Sequence, residues 1–194
     1  LDFRISNGGA PDDYFDKGVR FLVNYYFKNK PFDDKTLFTE KKIVFPIDET
    51  KKYWIQGYVD RITLDNDGIY HIHDYKTNQY PKTQAEIDAD RQLAFYHIGL
   101  KEIFGSDVKV KLVWHFLAHN ISVFSSRTDE ELEKLKKTTI GLISEIENNN
   151  EWRACGSKWC DWCSYKRENG RNGSIIQNPI DKMKNFSLKG FLKS

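Results

Sequence analysis

This sequence has no long apolar run, no signal peptide and little cysteine. None of its 194 residues belongs to a stretch approaching the roughly 20 apolar residues that a membrane-spanning helix needs, so we expect no membrane partner. Positions 1–10 lack the features of a secretory signal, which favours a cytoplasmic protein, or a nuclear one in a eukaryote. The first residue is not Met, and we expect the natural protein to begin further upstream.

Several signatures of other enzyme classes are also missing. No glycine-rich phosphate loop is present, so any ATPase or helicase activity has to come from another domain or a partner. No Ser-His-Asp or Cys-His pattern supports nucleophilic catalysis. The net charge of +2 is nearly neutral and does not by itself indicate a nucleic-acid binder, although local clustering can still create a basic groove.

The composition is that of a globular domain. Apolar residues make up 39% of the chain, charged residues 30% and aromatic residues 14%, which excludes intrinsic disorder. Periodicity predicts helices at 12–29, 84–104 and 128–148, and strands at 39–47, 53–64, 69–77, 108–117 and 121–125. This order predicts an α/β (α+β) fold with a mixed sheet flanked by helices.

Details of the helices can also be predicted. Asp12 or Asp13 is expected to cap the first helix, and its core stripe is expected to be Phe15, Val19, Leu22, Val23 and Tyr26. A capping box at 128–131 opens the last helix, whose core stripe would be Leu132, Leu135, Ile143 and Ile146. We expect an irregular segment at 1–11, one domain at 12–165 and a basic, loosely ordered tail at 166–194.

The strongest chemical signal is a hairpin that brings charge onto an apolar face. With 66–68 as a three-residue loop and Gly68 in the left-handed conformation, Asp60 lies opposite Asp74, with Cβ atoms about 4.5–5.5 Å apart. Strand alternation then gives one mainly apolar face, formed by Tyr58, Asp60, Ile62, Leu64, Tyr70, Ile72, Asp74 and Lys76. The other face carries Val59, Arg61, Thr63, Ile69, His71, His73, Tyr75 and Thr77.

Two opposed acids on a buried face are costly unless something compensates their charge. A divalent cation between Asp60 and Asp74 would do so, and Mg²⁺ prefers one or two carboxylates with waters and phosphate oxygens. Lys76 would then orient a water or stabilise phosphoryl charge. The alternative is an Asp–Lys ion pair in an ordinary hairpin, which the hairpin alone favours about equally. His71 and His73 point away from the acids as exposed or packing residues, and nothing makes His115 or His119 a ligand.

The strings Gly-Tyr-Val-Asp-Arg-Ile at 57–62 and Asp-Tyr-Lys-Thr at 74–77 resemble the PD-(D/E)XK nuclease superfamily, in its RecB-like exonuclease branch. Gln-Leu-Ala-Phe-Tyr at 92–96 is similar to the Q-x-x-x-Y helix of that branch. The resemblance implies a restriction-endonuclease-like fold, catalytic Asp60, Asp74 and Lys76, and metal ligands Asp60, Asp74 and Tyr75. It also implies that Gln92 and Tyr96 contact the substrate; without it, Tyr96 would be interpreted as a core aromatic.

The three cysteines, Cys155, Cys160 and Cys163, form one tight cluster, which argues against disulfides and for a metal site. RecB-like nucleases with an iron–sulfur cluster place three cysteines here and a fourth upstream. This chain has no upstream cysteine, and no histidine before His71, although the family has one on an N-terminal helix. Zinc with a histidine from the sheet or a helix is the other option. Trp152, Trp159 and Trp162 would shield a cluster or stack on bases.

We therefore expect a Mg²⁺- or Mn²⁺-dependent deoxyribonuclease, an exonuclease that acts on single-stranded DNA or ends. Its context would be DNA repair, recombination or CRISPR-related processing, with a helicase or recombination protein as partner. The missing histidine and cysteine support an alternative, a catalytically degenerate nuclease-fold module that binds DNA or serves as a scaffold. A third option is a zinc-stabilised interaction domain in which the acids are incidental.

Overall fold

The computed structural model describes residues 10–150, which form a five-stranded sheet and four helices. The elements in chain order are α1 (Pro11–Asn29), β1 (Lys35–Pro46), β2 (Trp54–Leu64), β3 (Ile69–Lys76), α2 (Gln84–Asp88), α3 (Gln92–Phe104), β4 (Lys109–Phe116), β5 (Ile121–Ser125) and α4 (Asp129–Asn148). The chain divides into two units, Leu1–Lys137 and Thr138–Ser194. Of the second unit, only residues 138–150 are described.

The sheet is mixed, as the sequence predicts. Its strand order is β1-β2-β3-β4-β5, in which β3 and β4 are parallel and all other neighbours are antiparallel. The parallel pair requires a crossover, which α2 and α3 provide. Among the described residues, no helix is long and apolar enough to cross a membrane.

The predicted hairpin between β2 and β3 is confirmed. Arg61 pairs with His73 and Leu64 with Tyr70, and Gly68 adopts a φ of 76°. The Asp65 carboxylate stabilises the turn by accepting hydrogen bonds from the backbone N–H groups of Asp67 at 3.0 Å and Ile69 at 2.8 Å. A left-handed residue closing a three-residue loop therefore sets the register, as the turn chemistry requires.

The predicted faces of β2 are wrong before Asp60. Val59 is completely buried and Tyr58 is 52% exposed, whereas a regular alternation places Tyr58 on the buried face. Gly57 faces α3, because a Cβ atom there would lie 2.5 Å from Cε1 of Tyr96. Arg61, on the other side of Asp60, instead hydrogen-bonds to Tyr75 on the opposite face of the sheet. The alternation of side chains thus slips by one residue at Asp60.

The neighbouring strand β1 slips at the same level. Phe38 stacks on Phe104 of α3, and Ile43 also reaches α3, where its Cδ1 would lie 2.9 Å from a Cβ at Gly99. One of these positions is even and the other odd, so β1 cannot alternate regularly between them. Glu40 lies between them with a left-handed φ of 48°, and the register places it opposite Asp60. The irregular backbone at Glu40 and Asp60 therefore changes which side chains face α3 in both β1 and β2.

The single helix predicted at 84–104 is in fact two helices. The Arg127 guanidinium donates from Nη2 to the carbonyl oxygens of Ile87 at 2.8 Å and Asp90 at 3.2 Å, which occupies the acceptors at the break. The Asp90 side chain in turn accepts from the backbone N–H of Gln92, the first residue of α3, at 2.9 Å. Local periodicity could not reveal the break, because the arginine comes from the segment after β5.

The predicted core stripes of the outer helices are largely wrong. Every residue of the α1 stripe is exposed: Phe15, Val19, Leu22, Val23 and Tyr26. No aspartate caps α1, which begins at Pro11 after Ala10. In α4 the capping box between Thr128 and Glu131 is present, but only Leu132 of the stripe is buried and Ile146 is exposed. Helical spacing alone does not decide which stripe meets the sheet.

The core lies between the sheet and α3. Fully buried side chains from both sides meet there, among them Ile62, Ile72, Leu112, Trp114, Leu93, Ile98 and Leu100. Gly99 lets α3 approach β1 closely, because an added Cβ would lie 2.8 Å from Cε1 of Phe45. This close packing fixes the first turn of α3 against the ends of β2 and β3.

Candidate active site

Asp74 lies near the end of β3 and is only 3% exposed. Its Oδ1 accepts hydrogen bonds from Lys76 Nζ at 3.0 Å and from Gln92 Nε2 at 3.2 Å. Its Oδ2 is 2.8 Å from Lys76 Nζ but makes no hydrogen bond, so this contact has the geometry of an ion pair only. A buried carboxylate oxygen without a hydrogen bond is uncommon in folded proteins, and the Lys76 ammonium is the charged group beside this one.

The surroundings of Asp74 act on its protonation in opposite directions. Burial raises the pKa of the Asp74 carboxyl above its ordinary value, and the negative charges of Asp60 and Asp90 act in the same direction. The Lys76 ammonium lowers the pKa but does not cancel the effect of burial. A cation placed beside Asp74 would therefore be stabilised, because the protein alone does not fully compensate the negative charge of this carboxylate.

Asp60 lies on β2 at the slip. Continuing the β2–β3 register by one pair beyond Arg61 and His73 places Asp60 opposite Asp74. Its Oδ2 accepts the backbone N–H of Tyr75 at 2.9 Å. The Asp60 charge helps to raise the pKa of Asp74, so the two acids lie near each other at the end of the paired part of the hairpin.

Gln92 and Tyr96 of α3 complete the arrangement. Gln92 Oε1 accepts from Lys76 Nζ at 3.1 Å, while its Nε2 bonds to Asp74 and lies 3.5 Å from the Tyr96 hydroxyl. Gln92 is therefore the bridge between the helix and the charged end of β3. Tyr96 covers Gly57, where no side chain larger than hydrogen fits.

Behind the acids, Tyr75 anchors the strand on the opposite face of the sheet. Its ring stacks on His115 with centroids 4.9 Å apart, and its hydroxyl lies 3.1 Å from the Tyr25 hydroxyl and 3.3 Å from Arg61 Nη1. His115 Nε2 shares a hydrogen bond with His73 Nδ1 at 2.8 Å. Arg61 also forms an ion pair with Asp34.

These histidines are a buried network, which the sequence interpretation missed. Burial lowers the pKa of His73 to about 3, aided by the neighbouring His115, and burial lowers the pKa of His115 to about 4. Both rings are therefore neutral near pH 7, and each has a hydroxyl partner, Thr63 for His73 and Ser122 for His115. One sequence signal could have revealed this burial. β3 precedes a crossover connection, which makes it a central strand, and central strands are buried on both faces.

The sequence of this chain matches a known family. Residues 9–167 match the sequence profile of the PD-(D/E)XK nuclease superfamily. The chain belongs to this superfamily. A comparison with curated proteins finds no match. The predicted superfamily and the restriction-endonuclease-like fold are therefore confirmed, and a PD-(D/E)XK nuclease fold implies a nucleic-acid substrate.

Nucleases of the PD-(D/E)XK superfamily generally use divalent metal ions, and the residues here fit such an ion. Asp60 and Asp74 supply two carboxylates, which is enough for Mg²⁺ when waters and phosphate oxygens complete its shell. The Asp74 oxygen without a hydrogen bond is the observation that supports this fit. Within residues 10–150, no third His, Cys, Asp or Glu joins them in a larger ligand group.

Some predicted sites fall on other parts of the chain. Cys155, Cys160 and Cys163, the interleaved tryptophans and the basic segment at 166–194 lie outside the described residues. Of the remaining histidines, His71 pairs with Asp65 at 2.9 Å and His119 contacts the carbonyl oxygen of Gln79 at 2.6 Å. Neither contacts the acids at the end of β3.

Proposed function

We propose that this protein is a Mg²⁺- or Mn²⁺-dependent deoxyribonuclease whose catalytic residues are Asp60, Asp74 and Lys76. The observation that carries the proposal is the Asp74 carboxylate, which is buried, incompletely hydrogen-bonded, and adjacent to both a lysine and a second acid. A buried carboxylate oxygen that lacks a hydrogen bond is uncommon, because most buried polar side-chain atoms have at least one hydrogen-bond partner. This feature favours the catalytic interpretation over the simple Asp–Lys pair.

Each residue has a definite role in the proposed reaction. Asp60, Asp74 and the backbone carbonyl of Tyr75, whose ring lies on the opposite face of the sheet, would hold the ion, which when bound would polarise the phosphodiester and acidify a water. Lys76 orients that water or stabilises charge on the phosphoryl oxygens. Gln92 holds Lys76 and Asp74 through its two amide atoms, and with Tyr96 it contacts the DNA.

We further propose that the enzyme is an exonuclease of the RecB-like branch, acting on single-stranded DNA or ends. The support is the combination of Gly-Tyr-Val-Asp-Arg, Asp-Tyr-Lys-Thr and Q-x-x-x-Y in one order along the chain. DNA repair, recombination or CRISPR-related processing is the context that we propose, with a helicase or recombination protein as partner. Circular single-stranded DNA tests the exonuclease assignment, because an exonuclease leaves it intact and degrades the linear form.

We propose that Cys155, Cys160 and Cys163 supply three of the ligands of a 4Fe–4S cluster. Quantification of iron, acid-labile sulfide and zinc in the purified protein tests this. Iron and sulfide together support the cluster, whereas stoichiometric zinc without sulfide contradicts it.

Cleavage of end-labelled single- and double-stranded DNA tests the catalytic proposal. We expect cleavage with Mg²⁺ or Mn²⁺, none with EDTA, and a loss of at least about a hundredfold in Lys76→Ala and Asp74→Ala. Lys136→Ala is the matched control, because it removes the same charge from α4, where Lys136 pairs with Glu133. Cleavage at the wild-type rate by Asp74→Ala would refute the assignment.

The alternative is a nuclease fold that binds DNA or a partner without cutting it. The observation in its favour is that residues 10–150 contain no group of three or more His, Cys, Asp or Glu side chains placed to hold a metal ion. In that case the chain binds DNA equally well with and without divalent ions and gives no product with either metal. Measuring both DNA cleavage and DNA binding, with and without divalent ions, separates the two functions.

A further inference from the structure

On the N-terminal side of Asp60, β2 pairs with β1 but no longer with β3. The two strands therefore form a two-stranded ribbon there. The pairing of β2 with β3 covers Arg61 to Leu64 only, whereas β1 and β2 remain paired as far as Pro46 and Trp54. One face of this ribbon packs on α3 through Ile43, Phe45 and Val59, each at most 1% exposed. Its other face needs a separate explanation.

The outer face of the ribbon is open and aromatic. We call it the ribbon face, formed by Lys42, Val44, Pro46, Trp54, Gln56 and Tyr58. Trp54 is 54% exposed, Tyr58 52% and Val44 47%. The Trp54 ring is held in place, because its indole N–H donates to the Lys51 carbonyl oxygen at 2.8 Å. A fixed, exposed ring loses little conformational entropy when it binds a ligand.

The ribbon face has the chemistry of a single-strand binding surface. Trp54 and Tyr58 share one side of β2 at a spacing of four residues, roughly 13 Å along the strand. Unpaired bases stack on such rings whatever their sequence, since every base has a π-face. Lys42 is exposed and pairs directly with Tyr58, so a cation lies beside the ring, within reach of a phosphate.

The position of the ribbon face relative to the acids points to the same ligand. Tyr58 lies two residues before Asp60 on the same strand, at the fork where β2 parts from β3, and on the face of the ribbon that points away from α3. We propose that the ribbon face is a stacking platform for single-stranded nucleic acid that lies beside the fork holding Asp60 and Asp74. The inference rests on the proposed action on nucleic acid and adds the surface that selects unpaired strands.

Binding without divalent ions tests the platform independently of cleavage. Fluorescence anisotropy with a labelled oligo-dT and a labelled duplex is measured in EDTA, so a failure of the proposed catalysis does not affect the result. We expect Trp54→Ala and Tyr58→Ala each to weaken single-strand binding about tenfold, and the double variant more, with little change for the duplex. Trp54→Phe and Tyr58→Phe should retain most of the affinity.

The matched control is Tyr26→Ala on α1, which removes a tyrosine of 53% exposure outside the ribbon face. It should bind the oligonucleotide like the parent protein. Unchanged affinity in the Trp54→Ala/Tyr58→Ala variant, or an equal loss in Tyr26→Ala, overturns the proposal. If the double variant keeps its DNA affinity but changes the sedimentation coefficient of the protein, the ribbon face is instead an interface between protein chains. Thermal unfolding checks that each variant is folded.

Discussion

The backbone N–H of Tyr75 donates a hydrogen bond to Oδ2 of Asp60 over 2.9 Å, at the point where β2 slips out of regular alternation. Tyr75 lies between Asp74 and Lys76, and its own ring is on the opposite face of the sheet, stacked on His115. One residue therefore connects the first acid to the back of the sheet. The position of Asp60 depends on how firmly Tyr75 is held.

Variants of Tyr75 test this connection. Tyr75→Phe removes the contacts with Tyr25 and Arg61 but keeps the stacking on His115, so we expect a loss of about 1 kcal/mol in the free energy of unfolding. Tyr75→Ala removes the ring as well, so it should lower the free energy of unfolding by roughly 2–3 kcal/mol and also lower the cleavage rate. Urea unfolding measures the loss of stability in both variants. Tyr80→Ala, at a position 77% exposed, is the control and should change neither quantity by much.

The buried histidines predict a loss of stability on the acid side of neutrality. His73, His97 and His115 have pKa values lowered by burial to about 3, 4 and 4, whereas the unfolded chain binds protons with the ordinary value of about 6.5. The unfolded state therefore holds more protons between these values, and stability falls as the pH decreases below about 6.5. We expect roughly 1 kcal/mol per histidine to be lost between pH 7.5 and 5.5.

Urea unfolding at several pH values measures this loss. His73→Gln should make the slope of stability against pH shallower, because one titrating group is removed, whatever its effect on the stability at neutral pH. His119→Gln is the control, because that ring is exposed and lies outside the set of buried histidines. A slope that stays the same in His73→Gln contradicts the buried-network explanation.

The raised pKa of Asp74 predicts that protons compete with the metal ion. Because burial favours the neutral carboxyl, the concentration of Mn²⁺ required for half-maximal cleavage should increase as the pH is lowered. Excess Mn²⁺ should restore much of the rate in wild-type protein at the lower pH. In Lys76→Ala the rate should stay low at every Mn²⁺ concentration, since the lysine acts on the reaction and not as a ligand.

Gly57 should tolerate no side chain while Tyr96 is present. A Cβ atom would lie 2.5 Å from Tyr96 Cε1, so Gly57→Ala has to displace the ring and should cost about 1–3 kcal/mol of stability. Tyr96→Ala in the same chain should relieve most of this cost, which a double-mutant cycle detects as a coupling energy. Gly18→Ala in α1 meets nothing within 4 Å and should stabilise the protein by about 1 kcal/mol.

Parts of this fold and site depend on local patterns that the sequence displays directly. The turn residues at 66–68 and the alternation on either side determine the β2–β3 register, and hence the opposition of Asp60 and Asp74. The capping box at Thr128 and the order of helices and strands are likewise local, because each depends on neighbours within a few residues.

Other features depend on residues far apart in the chain. The break before α3 needs Arg127, and the slip at Asp60 accompanies the left-handed Glu40 of the neighbouring strand. Burial of His73 and His115 depends on what packs on the face of the sheet opposite α3, where the Tyr25 ring of α1 contacts the His115 ring. The sequence by itself thus determined the hairpin, the order of elements and the acids on it, since short-range geometry controls these. Only the tertiary structure decided which faces are buried, because burial depends on which elements pack together.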